Sequence, residues 1–289
     1  GIYSDGETGE LKIPANTIFG NYRIIRRLGK GGMGAVFLAE DLRVNREFAL
    51  KILFPTLGYS DRTRRLFAHE AAVIRALEGY DLAPTYHDSG VVGVYYFIAM
   101  EYFTLPWRTL DAYKGTLHWQ EGVEIAIELV AQLQELHGMG VFHHDLKPEN
   151  IVAAKINGQW QVRFLDFGLA RQYGNTRLTE PGIPLGTVHY MAPEQAASTH
   201  DAEARSDIYS LGCTLYYLLA GQPPFIAPGA GELIGRHLFQ EPPPLRRLAP
   251  EAPAELAALV HRLLLKDKLV RPAMSQVVQE IQALQTRLP

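Results

Sequence analysis

The residues with the clearest chemical capacity lie close together, between Val141 and Asn150. Asp145, Lys147 and Asn150 stand at i, i+2 and i+5 in a proline-containing stretch that precedes a short apolar strand pattern. The carboxylate can accept a hydroxyl proton, the ammonium can balance developing phosphoryl charge, and the amide oxygen can bind a metal ion. Asp166, at the end of the next strand pattern, would provide a second carboxylate, in this case for binding the metal ion. Each residue alone would suit an ordinary polar turn, but the ordered group predicts phosphoryl transfer.

A glycine cluster comes much earlier in the chain, at Gly29, Gly31, Gly32 and Gly34, with strand patterns on both sides. Glycine lets a backbone approach phosphate oxygens closely and point its N–H groups at them. A plain hairpin is the alternative, because the glycines alone are a weak signal. A strand rather than a helix follows them, which argues against a dinucleotide-binding turn, and this loop lacks the Gly-Lys-Ser/Thr of the P-loop.

Lys51 and Glu70 are predicted to form a buried ion pair. Lys51 lies among the apolar residues of a strand pattern, Phe48–Leu53. Glu70 lies three and four residues before Val73 and Ile74, and hence on the apolar face of a helix pattern. Either residue alone could equally face solvent. Because an inward charge needs a partner, the pair is favoured once the glycine loop is considered, and it could position a phosphate.

Hydrophobic periodicity divides the chain into a strand-rich first third and a mainly helical remainder. This division indicates an α+β fold of two lobes with a cleft between them. A long loop without a regular pattern follows Leu165, and such loops are usually functional or disordered. Strands are predicted at 22–28, 35–39, 48–53, 84–90, 94–101, 151–154 and 162–165, and helices at 61–77, 122–137, 207–220, 253–264 and 274–288.

The composition excludes several classes of protein. The chain of 289 residues has a formal net charge of −3, which provides no strong basic field for nucleic acid or acidic membranes. Its single cysteine, Cys213, excludes an internal disulfide and a multi-cysteine zinc cluster, and favours a reducing compartment. The longest apolar stretches, such as Leu211–Ala220, reach about half of the roughly 20 residues that a membrane helix needs.

Taken in order, these motifs resemble those of eukaryotic-type protein kinases, and more narrowly the bacterial Ser/Thr kinases of the Hanks type. The resemblance implies the bilobal protein-kinase fold after a lead-in segment at 1–21. A small β-rich N-lobe with one key helix would span 22–101, and a larger, mainly helical C-lobe would span 102–288. The motifs that carry the resemblance are Gly34-Ala-Val36, Phe48-Ala-Leu-Lys51, Asp145–Asn150, Asp166-Phe-Gly168, Ala192-Pro-Glu194, Asp207–Gly212 and Arg271-Pro272.

The resemblance implies a role for each motif. Asp145 would be the base or orienter for the substrate hydroxyl, and Lys147 would stabilise the transferring group. Asn150 and Asp166 would bind Mg²⁺, with Mn²⁺ as the alternative ion. The implied ATP-binding residues are Leu28, Gly29, Gly31, Gly32, Gly34 and Val36 over the phosphates, Lys51 held by Glu70, Val36, Ala49 and Val152 around the adenine, Met100 as gatekeeper, and Glu101 and Phe103 in the hinge.

The implied activity is ATP-dependent phosphorylation of Ser/Thr hydroxyls in proteins, autophosphorylation included, because Lys147 and Thr187 belong to the Ser/Thr-kinase forms of their motifs. Two alternatives stay open: a pseudokinase that acts as a scaffold or allosteric module, and a small-molecule phosphotransferase of kinase-like fold. The resemblance also implies structural roles, namely a Glu194–Arg271 ion pair, Asp207 holding the catalytic loop, and a Thr187–Asp145 hydrogen bond.

His144 departs from the family pattern. Many regulated kinases have an Arg at this position, and it pairs with a phosphorylated residue of the activation loop. Histidine is largely uncharged near pH 7 and is a poor substitute for that Arg. We therefore expect activation-loop phosphorylation, for which Thr176 and Thr179 are the candidate sites, to be dispensable for activity.

The implied partners are protein substrates. Bacterial relatives also dimerise through the small lobe, although no residue here establishes a homodimer. No nucleic-acid or membrane contact is expected from this segment, and the expected location is cytoplasmic. Because the chain begins with Gly rather than Met, the alternative is the cytoplasmic domain of a larger, membrane-anchored protein.

Overall fold

The computed structural model describes residues 3–4, 11–30, 34–54, 60–167, 185–196 and 203–286. They belong to two units, Gly1–Thr104 and Leu105–Pro289. None of the described helices is both long and apolar enough to cross a bilayer.

The described strands of the first unit are β1 Tyr3–Ser4, β2 Leu11–Lys12, β3 Ile18–Phe19, β4 Tyr22–Lys30, β5 Gly34–Asp41, β6 Arg46–Leu53, β7 Tyr86–Val92 and β8 Tyr95–Met100. Six of them form an antiparallel sheet in the order β3-β4-β5-β6-β8-β7, and β1 pairs with β2. Successive strand residues point to opposite faces of a sheet. One face, with Phe37, Leu50 and Phe97, packs into the core of the unit.

Part of the predicted lead-in segment belongs to this core. Leu11 and Phe19 have no exposed surface. The Phe19 ring meets the rings of Tyr95 and Phe97 edge-on, with centroids 6.1 and 5.8 Å apart. The lead-in segment therefore contributes residues 11–19 to the folded core, which the sequence did not indicate because the few apolar residues there are too widely spaced to show a period.

Helix α1, Asp61–Ala76, is the helix described in the first unit. Ser60 caps it, because its hydroxyl accepts the Thr63 N–H, which the first turn leaves without a helical partner. The inward face buries Leu66, Phe67 and Ile74, and Glu70 lies on that same face. The predicted helix at 61–77 and its inward Glu70 are thus confirmed.

The second unit is mainly helical, as predicted, and also carries a small antiparallel sheet in the order β11-β10-β9. Its described strands are β9 Arg108–Thr109, β10 Ile151–Ile156 and β11 Gln159–Phe164. Its described helices are α2 Trp119–Gly138, α3 Leu185–Val188, α4 Pro193–Ala196, α5 Glu203–Ala220, α6 Ala230–Phe239, α7 Ala254–Leu263 and α8 Met274–Gln285.

Helix α6 was not predicted from the sequence. It contains Gly231 and Gly235, and glycine weakens a helix interior, so the local signal is poor. The helix buries Leu233 and His237, which supply the tertiary contacts that stabilise it. Most of the long loop predicted after Leu165 lies outside the described residues.

Gly212 lets helices α5 and α7 approach closely. A Cβ atom added to Gly212 would lie 2.8 Å from the Leu263 Cβ and 3.1 Å from the Leu264 Cδ2. We expect Gly212→Ala to lower the free energy of unfolding by about 1–3 kcal/mol, because the extra methyl overpacks this contact. Gly235→Ala in α6 should raise it by about 0.5–1 kcal/mol, because nothing lies within 4 Å of the added Cβ. Urea unfolding of both variants checks this, and equal shifts would contradict it.

Candidate active site

In the first unit, the sheet face opposite the core carries the residues expected to bind ATP. Val36 of β5 lies opposite Lys51 of β6, and Ala49 of β6 lies opposite Met100 of β8. Directly paired residues of neighbouring antiparallel strands share a face. These four side chains therefore lie together, on the other side of the sheet from the fully buried Leu50.

Lys51 and Glu70 form the predicted ion pair. The Lys51 Nζ lies 2.8 Å from each carboxylate oxygen of Glu70. Lys51 is 8% exposed and Glu70 is 2% exposed, so both charges are removed from water and neutralise each other. The pair ties helix α1 to strand β6 and holds the ammonium in one place.

The glycines of the cluster differ in what the backbone requires of them. Gly34 is required by close packing, because a Cβ at this position would collide with the carbonyl oxygen of Ile52. Leu28 and Gly29 lie on β4, where the register with β5 shifts. Gly31 and Gly32 lie outside the described residues.

Glu101 and Phe103, the expected hinge residues, follow β8 directly. The Glu101 N–H donates to the Thr85 carbonyl oxygen at 2.9 Å. The Glu101 carboxylate accepts the Thr85 N–H at 3.1 Å and the Thr85 hydroxyl at 3.2 Å. The N–H of Glu101 is therefore engaged within the unit, and a ligand at this backbone would meet its carbonyl.

In the second unit, the residues of the predicted catalytic group contact one another. The Lys147 Nζ lies 3.5 Å from the Asp145 Oδ2 and donates to the Thr187 Oγ1 at 3.0 Å. The Asn150 Nδ2 donates to the Asp145 carbonyl oxygen at 2.9 Å and lies 3.3 Å from its Oδ2. Lys147 thus links Thr187 to Asp145, and the direct Thr187–Asp145 hydrogen bond expected from the sequence stays a prediction.

Asn150 and Asp166, the expected metal ligands, lie at the same end of the β10–β11 hairpin. The backbone connects them, because the Leu165 N–H donates to the Asn150 carbonyl oxygen at 2.7 Å. A carboxylate and an amide are the oxygen donors that Mg²⁺ accepts, and Mg²⁺ usually needs only one or two protein ligands when it also binds phosphates. The donors present therefore fit a magnesium ion held jointly with a nucleotide.

His143 fixes the backbone beside this group. Its Nε2 lies 2.9 Å from the Leu165 carbonyl oxygen, and its Nδ1 accepts the Asp145 N–H at 3.3 Å. These contacts assign the proton of the ring to Nε2, because a carbonyl only accepts and an amide N–H only donates. Burial lowers the pKa of His143, which agrees with this neutral ring.

Asp207 anchors the same loop, as predicted. Its carboxylate accepts the His143 N–H at 2.8 Å and the His144 N–H at 2.9 Å. The His137 Nε2 lies 2.9 Å from the same carboxylate. Burial opposes ionisation of Asp207, but its hydrogen bond with His137 and the nearby histidines outweigh burial and lower its pKa. Asp207 therefore stays ionised and holds two consecutive amides.

The predicted Glu194–Arg271 ion pair is confirmed. The Arg271 guanidinium binds both carboxylate oxygens of Glu194, at 2.7 and 3.1 Å. Arg271 is 2% exposed, and the Ser206 hydroxyl donates to the same carboxylate at 3.0 Å. This buried pair connects helix α4 to the segment that precedes α8.

The structure describes only some of the other residues that the sequence singled out. Val152 lies on β10, 4% exposed, and pairs with Thr109 of β9. Gly168, Thr176 and Thr179 lie outside the described residues. Sequence reasoning missed Gln195, whose Nε2 donates to the His144 carbonyl oxygen at 3.3 Å. An Ala-x-x-Gln spacing at a helix start was the available signal.

The chain has relatives among known protein families and proteins. A model of the protein kinase domain matches residues 22–281. The serine/threonine-protein kinase PrkC of Bacillus subtilis is 35% identical over 257 residues, which cover 88% of this chain and 39% of that protein. The serine/threonine-protein kinase PknJ of Mycobacterium tuberculosis is 36% identical over 265 residues, which cover 90% and 44%. The chain thus spans less than half the length of these relatives.

The fold is also similar to solved structures. The crystal structure of the PknI kinase domain of Mycobacterium tuberculosis aligns with a TM-score of 0.71 and 25% sequence identity. The alignment covers 95% of this chain and the whole of that one.

Proposed function

Because the chain belongs to the protein kinase family and has its fold, we propose that it transfers the γ-phosphate of ATP to serine and threonine hydroxyls of protein substrates, its own included. The group of Asp145, Lys147 and Asn150, with contacts of 2.9, 3.3 and 3.5 Å, supports this most directly. It brings a base, a cation and a metal-binding amide into one loop. In this assignment residues 22–101 are the N-lobe and residues 102–288 are the C-lobe.

The proposed reaction moves one proton and one phosphoryl group. Asp145 accepts the proton of the substrate hydroxyl, and the hydroxyl oxygen bonds to the γ-phosphorus while the bond from that phosphorus to ADP breaks. Lys147 balances the negative charge on the transferring phosphoryl oxygens. The products are ADP and the phosphorylated protein.

Asn150 and Asp166 are proposed to hold Mg²⁺, with Mn²⁺ as the alternative ion. Asn150 suits this role because its amide nitrogen donates to Asp145 and leaves the side-chain oxygen to act as a ligand. The ion would neutralise charge on the β- and γ-phosphates.

The first unit is proposed to bind ATP. Lys51, oriented by Glu70, would contact the phosphates, and the backbone of the glycine cluster would cover them. Glu101 would offer its carbonyl to the adenine, because its N–H is donated to Thr85. The other proposed ATP-binding residues of this unit are Leu28, Gly29, Gly31, Gly32, Gly34, Val36, Ala49, Met100 and Phe103. Val152, which belongs to the second unit, is also a proposed ATP-binding residue.

Two other functions compete with this proposal. A pseudokinase usually lacks one of the residues that bind ATP or metal, whereas Lys51, Glu70, Asp145, Asn150 and Asp166 are all present. A small-molecule phosphotransferase of similar fold would not need the Gly186–Glu194 segment that shapes a peptide platform. Glu194 is instead anchored by the buried Arg271, which supports a protein substrate.

The test is transfer of label from γ-labelled ATP, with Mg²⁺, to the chain itself, to a generic basic protein and to a small alcohol. Hydrolysis of the labelled protein identifies the phosphorylated residue type. We expect label on Ser and Thr. Label on the small alcohol alone would favour the phosphotransferase, and ATP binding without any transfer would favour the pseudokinase.

Activation-loop phosphorylation is expected to be dispensable. Replacing Thr176 and Thr179 together with Ala should leave the transfer rate within about tenfold of the wild-type rate, because position 144 holds a histidine and not the arginine that pairs with such a phosphate in many regulated kinases. Initial rates on the basic protein measure this. A loss beyond about a hundredfold, equivalent to about 2.7 kcal/mol, would contradict the prediction.

Location and oligomeric state are further proposals. A reducing, ATP-containing compartment such as the cytoplasm suits a chain with one cysteine, and Cys213 is buried. Protein substrates follow from the proposed reaction, and a homodimer through the first unit stays a prediction that sedimentation velocity would test.

A further inference from the structure

Side chains hold the backbone on every side of Asp145. The Asp145 N–H donates to the His143 ring, and the Asp145 carbonyl oxygen accepts from Asn150. The carbonyl of the preceding residue, His144, accepts from the Gln195 Nε2 at 3.3 Å. Gln195 therefore holds the peptide group that carries the nitrogen of Asp145.

The two backbone groups that Gln195 contacts fix the orientation of its side-chain amide. The Gln195 Oε1 accepts the Ala192 N–H at 3.0 Å, and an N–H can only donate. The His144 carbonyl can only accept, so it must face the amide nitrogen. Both contacts require the same orientation, and neither survives if the amide is flipped.

His144 is a residue whose backbone needs such support. Its φ is 64°, in the left-handed region that a residue with a Cβ rarely adopts. Strained residues of this kind persist where the surrounding structure over-determines them. Here Asp207 holds the His144 N–H and Gln195 holds its carbonyl, so α5 and α4 restrain the two sides of one residue.

We propose that Gln195 is a positioning residue for Asp145, and this inference rests on the proposed function. Through the His144 carbonyl it joins the Ala192–Ala196 segment to the backbone of the base. This connection is a hydrogen bond from a neutral amide, so it requires neither a phosphate nor a cation at His144. It thereby gives a physical reason for activity without activation-loop phosphorylation.

A purely local role is the competing explanation, and the chain contains a matched control for it. Gln276 accepts the Ala273 N–H at 2.9 Å at the start of α8, which is the same Ala-x-x-Gln arrangement. Gln276 is exposed, and its contact with Ala273 is far in sequence from the loop that contains Asp145. A substitution that only disturbs capping should therefore act alike at both positions.

The experiment compares Gln195→Glu with Gln276→Glu in the whole chain. Glutamate keeps the oxygen that accepts the alanine N–H, but at position 195 it replaces the donor to His144 with a carboxylate oxygen that repels the carbonyl. Because small displacements of reacting groups can cost about a hundredfold in rate, we expect Gln195→Glu to lower kcat by about ten- to a hundredfold. We expect the KM for ATP to stay within about twofold, since the ATP-binding residues are untouched. Gln276→Glu should leave both unchanged.

Amide deuterium exchange of the peptide 141–150, measured without ATP, provides a readout independent of activity. Faster exchange in Gln195→Glu alone supports the positioning role, even if the wild-type chain transfers no phosphate and the proposed function fails. Equal kcat and exchange in the two variants would overturn the inference. Exchange raised throughout the second unit would also overturn it, because it would indicate a general structural role. If Gln195→Glu does not fold, Gln195→Met, which removes both amide contacts without adding charge, is compared with Gln276→Met, which removes only the corresponding cap.

Discussion

Replacing Asp145 with Asn should lower kcat for phosphate transfer by roughly a thousandfold, because general-base catalysis contributes about 10²–10⁴. Asparagine has the same shape but cannot accept the hydroxyl proton. The fold should remain intact, since the carboxylate is only one of the partners of Lys147, which also donates to Thr187. Single-turnover transfer from γ-labelled ATP measures the rate, and thermal unfolding and ATP binding report on the fold.

The control for this variant is Asp267→Asn. Asp267 is an exposed acid of the second unit whose Oδ1 accepts the Leu269 N–H in a turn. Its replacement makes the same change of charge and should leave the transfer rate unchanged. A rate for Asp145→Asn within about tenfold of wild type would exclude Asp145 as the base, since a missing base costs at least about a hundredfold.

Replacing Lys51 with Met should lower both the free energy of unfolding and the rate of phosphate transfer. Removing one partner of a buried pair, here the ammonium beside the Glu70 carboxylate with 2% exposure, costs about 3–5 kcal/mol. Transfer should fall by about a hundredfold or more, equivalent to about 2.7 kcal/mol, because the ammonium proposed to contact the phosphates is gone. Chemical unfolding measures the first effect, and transfer at saturating ATP measures the second.

The double variant Lys51→Met/Glu70→Met separates these two effects. Apolar residues of similar volume often replace a buried pair at little cost, so stability should return close to that of the wild type. Transfer should stay low, because the cation is still missing. Recovery of transfer would contradict a role for Lys51 in binding phosphate.

Glu40→Gln serves as the control for loss of an ion pair. It breaks the exposed Arg23–Glu40 pair and should change the free energy of unfolding by less than about 1 kcal/mol.

Several contacts were predictable because each partner belongs to a recognisable local pattern. Glu70 falls on the apolar face of a helix and Lys51 falls inside an apolar strand, so both point inward and each needs the other. Glu194 and Arg271 were predicted to pair from family motifs, although 76 residues separate them, and the structure confirms that pair.

Other features were not predictable because they depend on tertiary packing. Leu11 and Phe19 enter the core through β2 and β3, which are only two residues long and show no period. Helix α6 carries two glycines and is stabilised by what Leu233 and His237 bury. For the same reason, the sequence did not predict that Lys147 contacts both Thr187 and Asp145.

The sequence by itself determined which residues are proposed to carry the chemistry and the order in which they occur. It also determined the type of most secondary-structure elements, because side-chain spacing follows the period of a helix or a strand. Only the tertiary structure decided which backbone groups those side chains hold. Gln195, Asn150 and the His143 ring each restrain a peptide group around Asp145, and such contacts depend on the path of the chain in space. Spacing along the sequence does not indicate that path, because every residue except proline offers the same N–H and carbonyl to whichever side chain the fold brings near.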